Sequence, residues 1–139
     1  MQLSSVANAE RDELASQATT SLRILFVDDD DTIREAMVAI LNWFGHDTFS
    51  AARGKDAIDL YRFNTVDLVI TDYQMPDMKG FELAQRIRQI NPSAKIILLT
   101  GWNNLKDEGK SAYINCTLTK PATMQTMIDT IQSLFEENS

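Results

Sequence analysis

Short apolar runs recur along the chain, each closed by polar or turn-forming residues, and between them the apolar positions fall at helical spacing. Residues 24–27 (ILFV) and 68–70 (LVI) are uninterrupted, as expected of parallel strands buried on both faces. Residues 95–100 (KIILLT) predict another such strand, 113–118 a further one, and 48–52 (TFSAA) a weaker, partly polar strand suited to a sheet edge. After the first run, Ile33, Met37, Ile40, Leu41 and Phe44 share one helical face. Asp31 or Thr32 can cap that helix, Thr32 and Glu35 have capping-box spacing, and Gly45 ends it. Residues 54–63 predict a helix with Ala57, Ile58 and Tyr61 inward. Residues 80–90 predict one that buries Phe81, Leu83, Ala84 and Ile87 and stops at Asn91 and Pro92. Met124, Met127, Ile128, Ile131 and Leu134 mark the last helix. Residues 101–112 hold Gly101, Asn103, Asn104 and Gly109, all poor helix formers, and predict only a short or frayed helix.

Strands that alternate with helices need crossovers returning the chain to the same end of the sheet. The class is α/β, a doubly wound five-stranded parallel sheet. The flavodoxin-like strand order 2-1-3-4-5 makes strands one and three neighbours at the topological switch point. A chain of 139 residues fits one domain with a core large enough to fold alone. Residues 1–21 are polar and rich in Ala and Ser without an apolar stripe, so they are expected to be a flexible extension to a domain at 22–139.

Composition excludes more than it assigns. A net charge of -7 without a basic stripe argues against direct nucleic acid binding. No apolar run approaches the roughly 18 residues of a membrane span. The single Cys116 forms no internal disulfide and the first residues lack a signal-peptide pattern, so a cytoplasmic protein is expected. Cys116 reads as a small buried strand residue and His46 as a surface turn residue.

The candidate chemistry sits at the strand ends. Asp28 and Asp29, Asp72, Thr100 and Lys120 lie at or just beyond the carboxyl ends of strands one, three, four and five, and therefore converge on one edge of the sheet. Asp30 and Asp31 read as a solvated helix start. Two like charges about 4 Å apart repel by roughly 1 kcal/mol in water and roughly 4 kcal/mol at an effective dielectric near 20, so three carboxylates in one cleft favour a cation. Hard oxygen donors with open positions suit Mg²⁺. An aspartate beside that cation, the Thr100 hydroxyl and the Lys120 ammonium make a site for a phosphoryl group, where carboxylate attack on phosphorus gives an acyl phosphate. Trp102 is either part of the mouth of this site or an exposed loop residue.

Four motifs in order, Val27-Asp28-Asp29, Asp72-x-x-Met75-Pro76-x-x-x-Gly80, Thr100-Gly101 and Lys120-Pro121, resemble the receiver domain of two-component response regulators over about residues 22–137. The resemblance implies that Asp72 is the phosphoacceptor and that Asp29 and Asp72 bind Mg²⁺ directly. It also implies that Asp28 binds through water, that the Gln74 backbone carbonyl completes the protein ligands, and that Thr100 and Lys120 contact the phosphoryl group. The donor it implies is a phosphohistidine on a sensor histidine kinase or a histidine phosphotransfer protein. The activity is then a phosphorylation-activated switch of a phosphorelay that catalyses its own phosphorylation and dephosphorylation and offers a changed surface to a downstream protein. Relatives carry an aromatic residue three positions before the lysine, where this chain has Thr117. With Thr117 and Thr100 at the switch positions, the segment 101–112 is expected to carry the signal by becoming ordered. The rival reading is a Mg²⁺-dependent phosphohydrolase forming an aspartyl phosphate, whose usual second aspartate two residues after the nucleophile is here Gln74. A receiver fragment of a hybrid kinase is a third.

Overall fold

The computed structural model describes residues 21–101 and 111–136. Within them the apolar runs have become five strands: β1 Arg23–Val27, β2 Asp47–Ala51, β3 Leu68–Asp72, β4 Ile96–Thr100 and β5 Cys116–Thr119. All neighbouring pairs are parallel and the order is β2-β1-β3-β4-β5. The uninterrupted runs fill the interior of the sheet, where β4 is buried at every position, and the polar-interrupted β2 and β5 form its edges. An interior parallel strand has helices on both faces, so only continuous apolar sequence satisfies it.

Four helices complete the described fold: α1 Asp31–Trp43, α2 Gly54–Phe63, α3 Gly80–Ile90 and α4 Met124–Phe135. Alternate strand residues point to opposite faces and make two separate cores. Leu25, Val27, Val69, Ile96 and Leu98 pack with Ala57, Ile58 and Tyr61 of α2 and Leu83, Ala84 and Ile87 of α3. Ile24, Phe26, Leu68, Ile70, Ile97 and Leu99 pack with Leu41 of α1 and Met127 and Ile131 of α4. Fully burying one such side chain contributes about 1.5–3 kcal/mol. Among the described residues no helix is long and apolar enough to cross a membrane.

Several local expectations are corrected. The N-cap of α1 is Asp30, whose Oδ1 accepts the N–H groups of Thr32 at 2.9 Å and Ile33 at 3.1 Å, so the cap lies one residue earlier than Asp31. Asp72 closes β3 instead of following it, because Thr71 and Asp72 still pair with Leu98 and Leu99 of β4. Strand β5 begins at Cys116, since residues 111–113 form a 3-10 turn first. Cys116 is only half-buried, as suits an edge strand. Phe81 is half-buried and packs in an edge-to-face pair with Tyr73, leaving Leu83 as the fully buried residue of that turn. The extension expected over residues 1–20, the ordering segment over 102–110 and Trp102 lie outside the described residues.

His46 is buried, contrary to the surface position expected of it. Gly45, at φ +97°, turns the chain out of α1, and His46 Nδ1 then accepts the Leu22 N–H at 3.1 Å. Burial pushes the imidazole pKa down, and the accepting nitrogen must be unprotonated. Below the ordinary histidine pKa the unfolded chain takes up a proton that the folded chain refuses, so this residue's contribution is complete above about pH 6.5 and declines as the solution is acidified. Urea denaturation is therefore expected to show stability falling from about pH 7 to about pH 5.5, with a shallower fall in His46→Asn, which keeps an acceptor and does not titrate. Equal slopes would contradict this role.

Gly80 is a position of close approach. A Cβ there would collide with the Asp72 carbonyl oxygen and the Leu98 side chain. Gly80→Ala is expected to lower stability by about 1–3 kcal/mol in urea denaturation, because the obstructing atoms include backbone that cannot rotate away.

Candidate functional site

Parallel strands finish at a common level, and here the residues that close them carry the chemistry. Asp28 follows β1 and is 1% exposed; its N–H donates to the Ala51 carbonyl at 3.1 Å, and its Oδ1 accepts the Asp30 N–H at 2.9 Å. Asp72 ends β3, and its Oδ1 accepts the Tyr73 N–H at 2.8 Å. Lys120 directly follows β5, and its peptide bond to Pro121 is cis. Its Nζ lies 3.1 Å from Asp72 Oδ1 and 3.5 Å from Asp28 Oδ2. Thr100 ends β4, fully buried, and its carbonyl accepts the Lys120 N–H at 2.7 Å, so lysine and threonine are joined through the backbone.

Asp29 is exposed at the rim, and one carboxylate oxygen from each of Asp28, Asp29 and Asp72 lies within 4.8 Å of the others. Three hard oxygen donors at one sheet edge fit a small divalent cation that retains waters. Burial is the largest influence on Asp28 and raises its pKa, and the Asp72 charge adds to that; the Asp30 N–H and Lys120 oppose without reversing it. Burial likewise works against the charge on Lys120, but its hydrogen bond to Asp72 and the two carboxylate charges outweigh it and raise the pKa. The lysine is a fixed cation at neutral pH.

Five of the sequence-derived residues, Asp28, Asp29, Asp72, Thr100 and Lys120, are thus brought to one place. Gln74 stands in the loop after Asp72, exposed and bridged to Lys79. Thr117 is exposed in β5 opposite Leu98, two positions before the strand end. Sequence reasoning passed over Arg34, which reaches back from the first turn of α1. Its Nη1 donates to the Asp28 carbonyl at 2.8 Å while Nη2 pairs with Asp31. The three-residue spacing of Asp31 and Arg34 was the available signal for the pair, but nothing local signalled the bond to Asp28.

Comparison with known proteins agrees with this geometry. Residues 24–132 match the response regulator receiver domain family, and the chain belongs to that family. It is 29% identical over 117 residues to the autoinducer 1 sensor kinase/phosphatase LuxN of Vibrio harveyi, covering 84% of this chain and 14% of LuxN. It is 35% identical over 117 residues to the sensor protein EvgS of Escherichia coli K12, covering 83% of this chain and 10% of EvgS. The chain thus spans a small part of these long relatives. Among solved structures, the response regulator TrrA of Thermotoga maritima in complex with Mg(2+)-BeF superposes with a TM-score of 0.77 at 32% identity, covering 82% of this chain and 99% of that one. The protein is a receiver domain of the two-component signalling type.

Lys120 holds two carboxylates that would otherwise face one another. In metal-free protein, Lys120→Ala is expected to lower stability by about 1–3 kcal/mol, less than for a fully buried pair because Asp72 and Lys120 retain some solvent. Urea denaturation in the presence of a chelator measures it, and an unchanged midpoint would show that the ion pair contributes nothing.

Proposed function

We propose that the protein accepts a phosphoryl group onto Asp72 from a phosphohistidine of a sensor histidine kinase or histidine phosphotransfer protein, and so acts as a switch in a phosphorelay. The observation that carries the reading is the contact of the Lys120 ammonium with both Asp72 and Asp28, beside the clustered Asp29 and the buried Thr100. In the step itself a carboxylate oxygen of Asp72 attacks phosphorus, the P–N bond to the donor imidazole breaks, and the imidazole leaves with the bonding electron pair, to be protonated from solvent. Lys120 is released from part of its pairing with Asp72 and offers its charge to the phosphoryl oxygens, while the Thr100 hydroxyl donates a hydrogen bond.

Asp29 and Asp72 would hold Mg²⁺ directly, Asp28 through water and Gln74 through its backbone carbonyl. When bound, the ion supplies positive charge to the phosphoryl oxygens. Hydrolysis of the resulting acyl phosphate returns the carboxylate and inorganic phosphate. Gln74, where aspartyl-phosphate hydrolases of small molecules usually carry a second carboxylate, offers no acid or base for rapid turnover, which disfavours that reading. A downstream protein then reads the phosphorylated surface, with Thr100 and Thr117 at the switch positions.

Asp72→Asn is expected to abolish covalent labelling by acetyl phosphate while leaving the fold intact by circular dichroism; labelling equal to wild type would sink the assignment. Asp29→Ala is expected to weaken Mg²⁺ binding by about tenfold or more in calorimetric titration. Unchanged affinity would remove Asp29 from the ligand set.

A further inference from the structure

A backbone carbonyl that serves a cation cannot be re-aimed by a rotamer change, so the loop carrying it must itself be held. The loop at residues 73–79 is closed internally by Met75 N–H to Met78 O at 3.2 Å, by the antiparallel bridge between Gln74 and Lys79, and at its exit by Gly80 N–H to Tyr73 O at 2.6 Å. These bonds define the loop's shape. Buried Tyr73 and Met75 seat the first half of the loop in the core, and its second half, from Pro76 to Lys79, needs a tie of its own.

Asp77, in that second half, supplies it. Its Oδ1 accepts the Gly54 N–H and its Oδ2 the Lys55 N–H, each at 2.9 Å. These are the first two amides of α2, whose own N-cap residue, Arg53, makes no side-chain cap bond. A helix start leaves such amides unpaired and favours a carboxylate beside them. Asp77 thus does from another loop what a local N-cap residue ordinarily does. Its neighbour Met78 covers Gly54 so closely that a Cβ there would overlap the methionine side chain. Desolvation works against the charge on Asp77, but the amides of Lys55 and Gly54 outweigh it and hold the carboxyl below its ordinary pKa. The far end of the connection is firm, because Ala57, Ile58 and Tyr61 seat α2 in the core.

We propose that Asp77 is a positioning residue for the cation site: by gripping the start of α2 it sets where the 73–79 loop presents the Gln74 carbonyl relative to Asp29 and Asp72. The inference rests on the reading of Gln74 as a magnesium ligand. Loss of the grip leaves the carboxylates in place and loosens the far half of the loop, to which Gln74 is bridged through Lys79.

The full chain is tested as wild type, Asp77→Ala, Arg53→Ser and the double variant Arg53→Ser/Asp77→Ala. In the double variant a serine at the extended N-cap position restores a local cap to α2 without restoring the tie to the loop. Mg²⁺ affinity is read by calorimetric titration, folding by urea denaturation, and labelling rate by acetyl phosphate at saturating Mg²⁺. Asp77→Ala is expected to weaken Mg²⁺ binding by about tenfold, the lower end for groups that orient a metal ligand. Labelling at saturating Mg²⁺ should change by less than about twofold. The double variant should regain stability and keep the weakened affinity. The proposal is overturned if Asp77→Ala binds Mg²⁺ like wild type, or if affinity returns together with stability in the double variant; should Asp77→Ala fail to fold, the double variant against Arg53→Ser decides alone. Equal Mg²⁺ affinity in wild type and Asp29→Ala would instead overturn the cation site itself.

Discussion

Asp28, Asp29 and Asp72 repel one another, and much of the surrounding structure answers that repulsion. Their oxygens lie within 4.8 Å, a separation at which a pair of charges costs roughly 1 kcal/mol in water and several times that in a partly desolvated cleft. Lys120 is held against two of the three by its place directly after β5 and by its backbone bond to Thr100. The amides of Asp30 and Tyr73 each donate to one carboxylate, and Arg34 fixes the carbonyl of Asp28. A site so arranged favours added positive charge, such as a small divalent cation held by hard oxygen donors.

The sheet makes this arrangement possible at little local expense. Because β1, β3 and β4 are apolar on both faces, they form the interior of the sheet and bring their last residues to one level. Asp28, Asp72 and Thr100 stand at or one residue beyond those strand ends. The edge strand β5 is different: its exposed Thr117 and Thr119 alternate with half-buried Cys116 and Leu118, so its packing is lighter on one side. Opposite it, Thr100 pairs with Thr119 and Leu98 with Thr117, so small residues face β4 at these two positions.

How much of this was legible in the sequence follows from the range of each interaction. The interior strands, the two helices at 54–63 and 80–90 and the five clustered site residues could be read because apolar continuity, helical spacing and turn residues are all local signals. Strand β5 was misplaced at its start because Tyr113 and Ile114 are strand-forming residues, yet Arg88 binds that stretch to α3, donating to the Tyr113 carbonyl at 3.1 Å and the Asn115 side chain at 2.8 Å. His46 looked like a turn residue until Leu22 supplied its partner from 24 residues away. Asp77 was assigned no role, and its two bonds reach back more than twenty residues to α2. These three involve a polar group whose partner lies across the fold, where periodicity carries no information.

The central claim is that one carboxylate among several is the acceptor and that the cluster around it makes it so. Borohydride reduction of the acetyl phosphate-treated protein, followed by peptide mass spectrometry, addresses this directly because an aspartyl phosphate is reduced to homoserine while free carboxylates are untouched. The account predicts homoserine at position 72, dependent on Mg²⁺ during the treatment, with Asp28, Asp29 and Asp77 unchanged. Homoserine at another of these positions, or conversion at 72 that is indifferent to Mg²⁺, would contradict it.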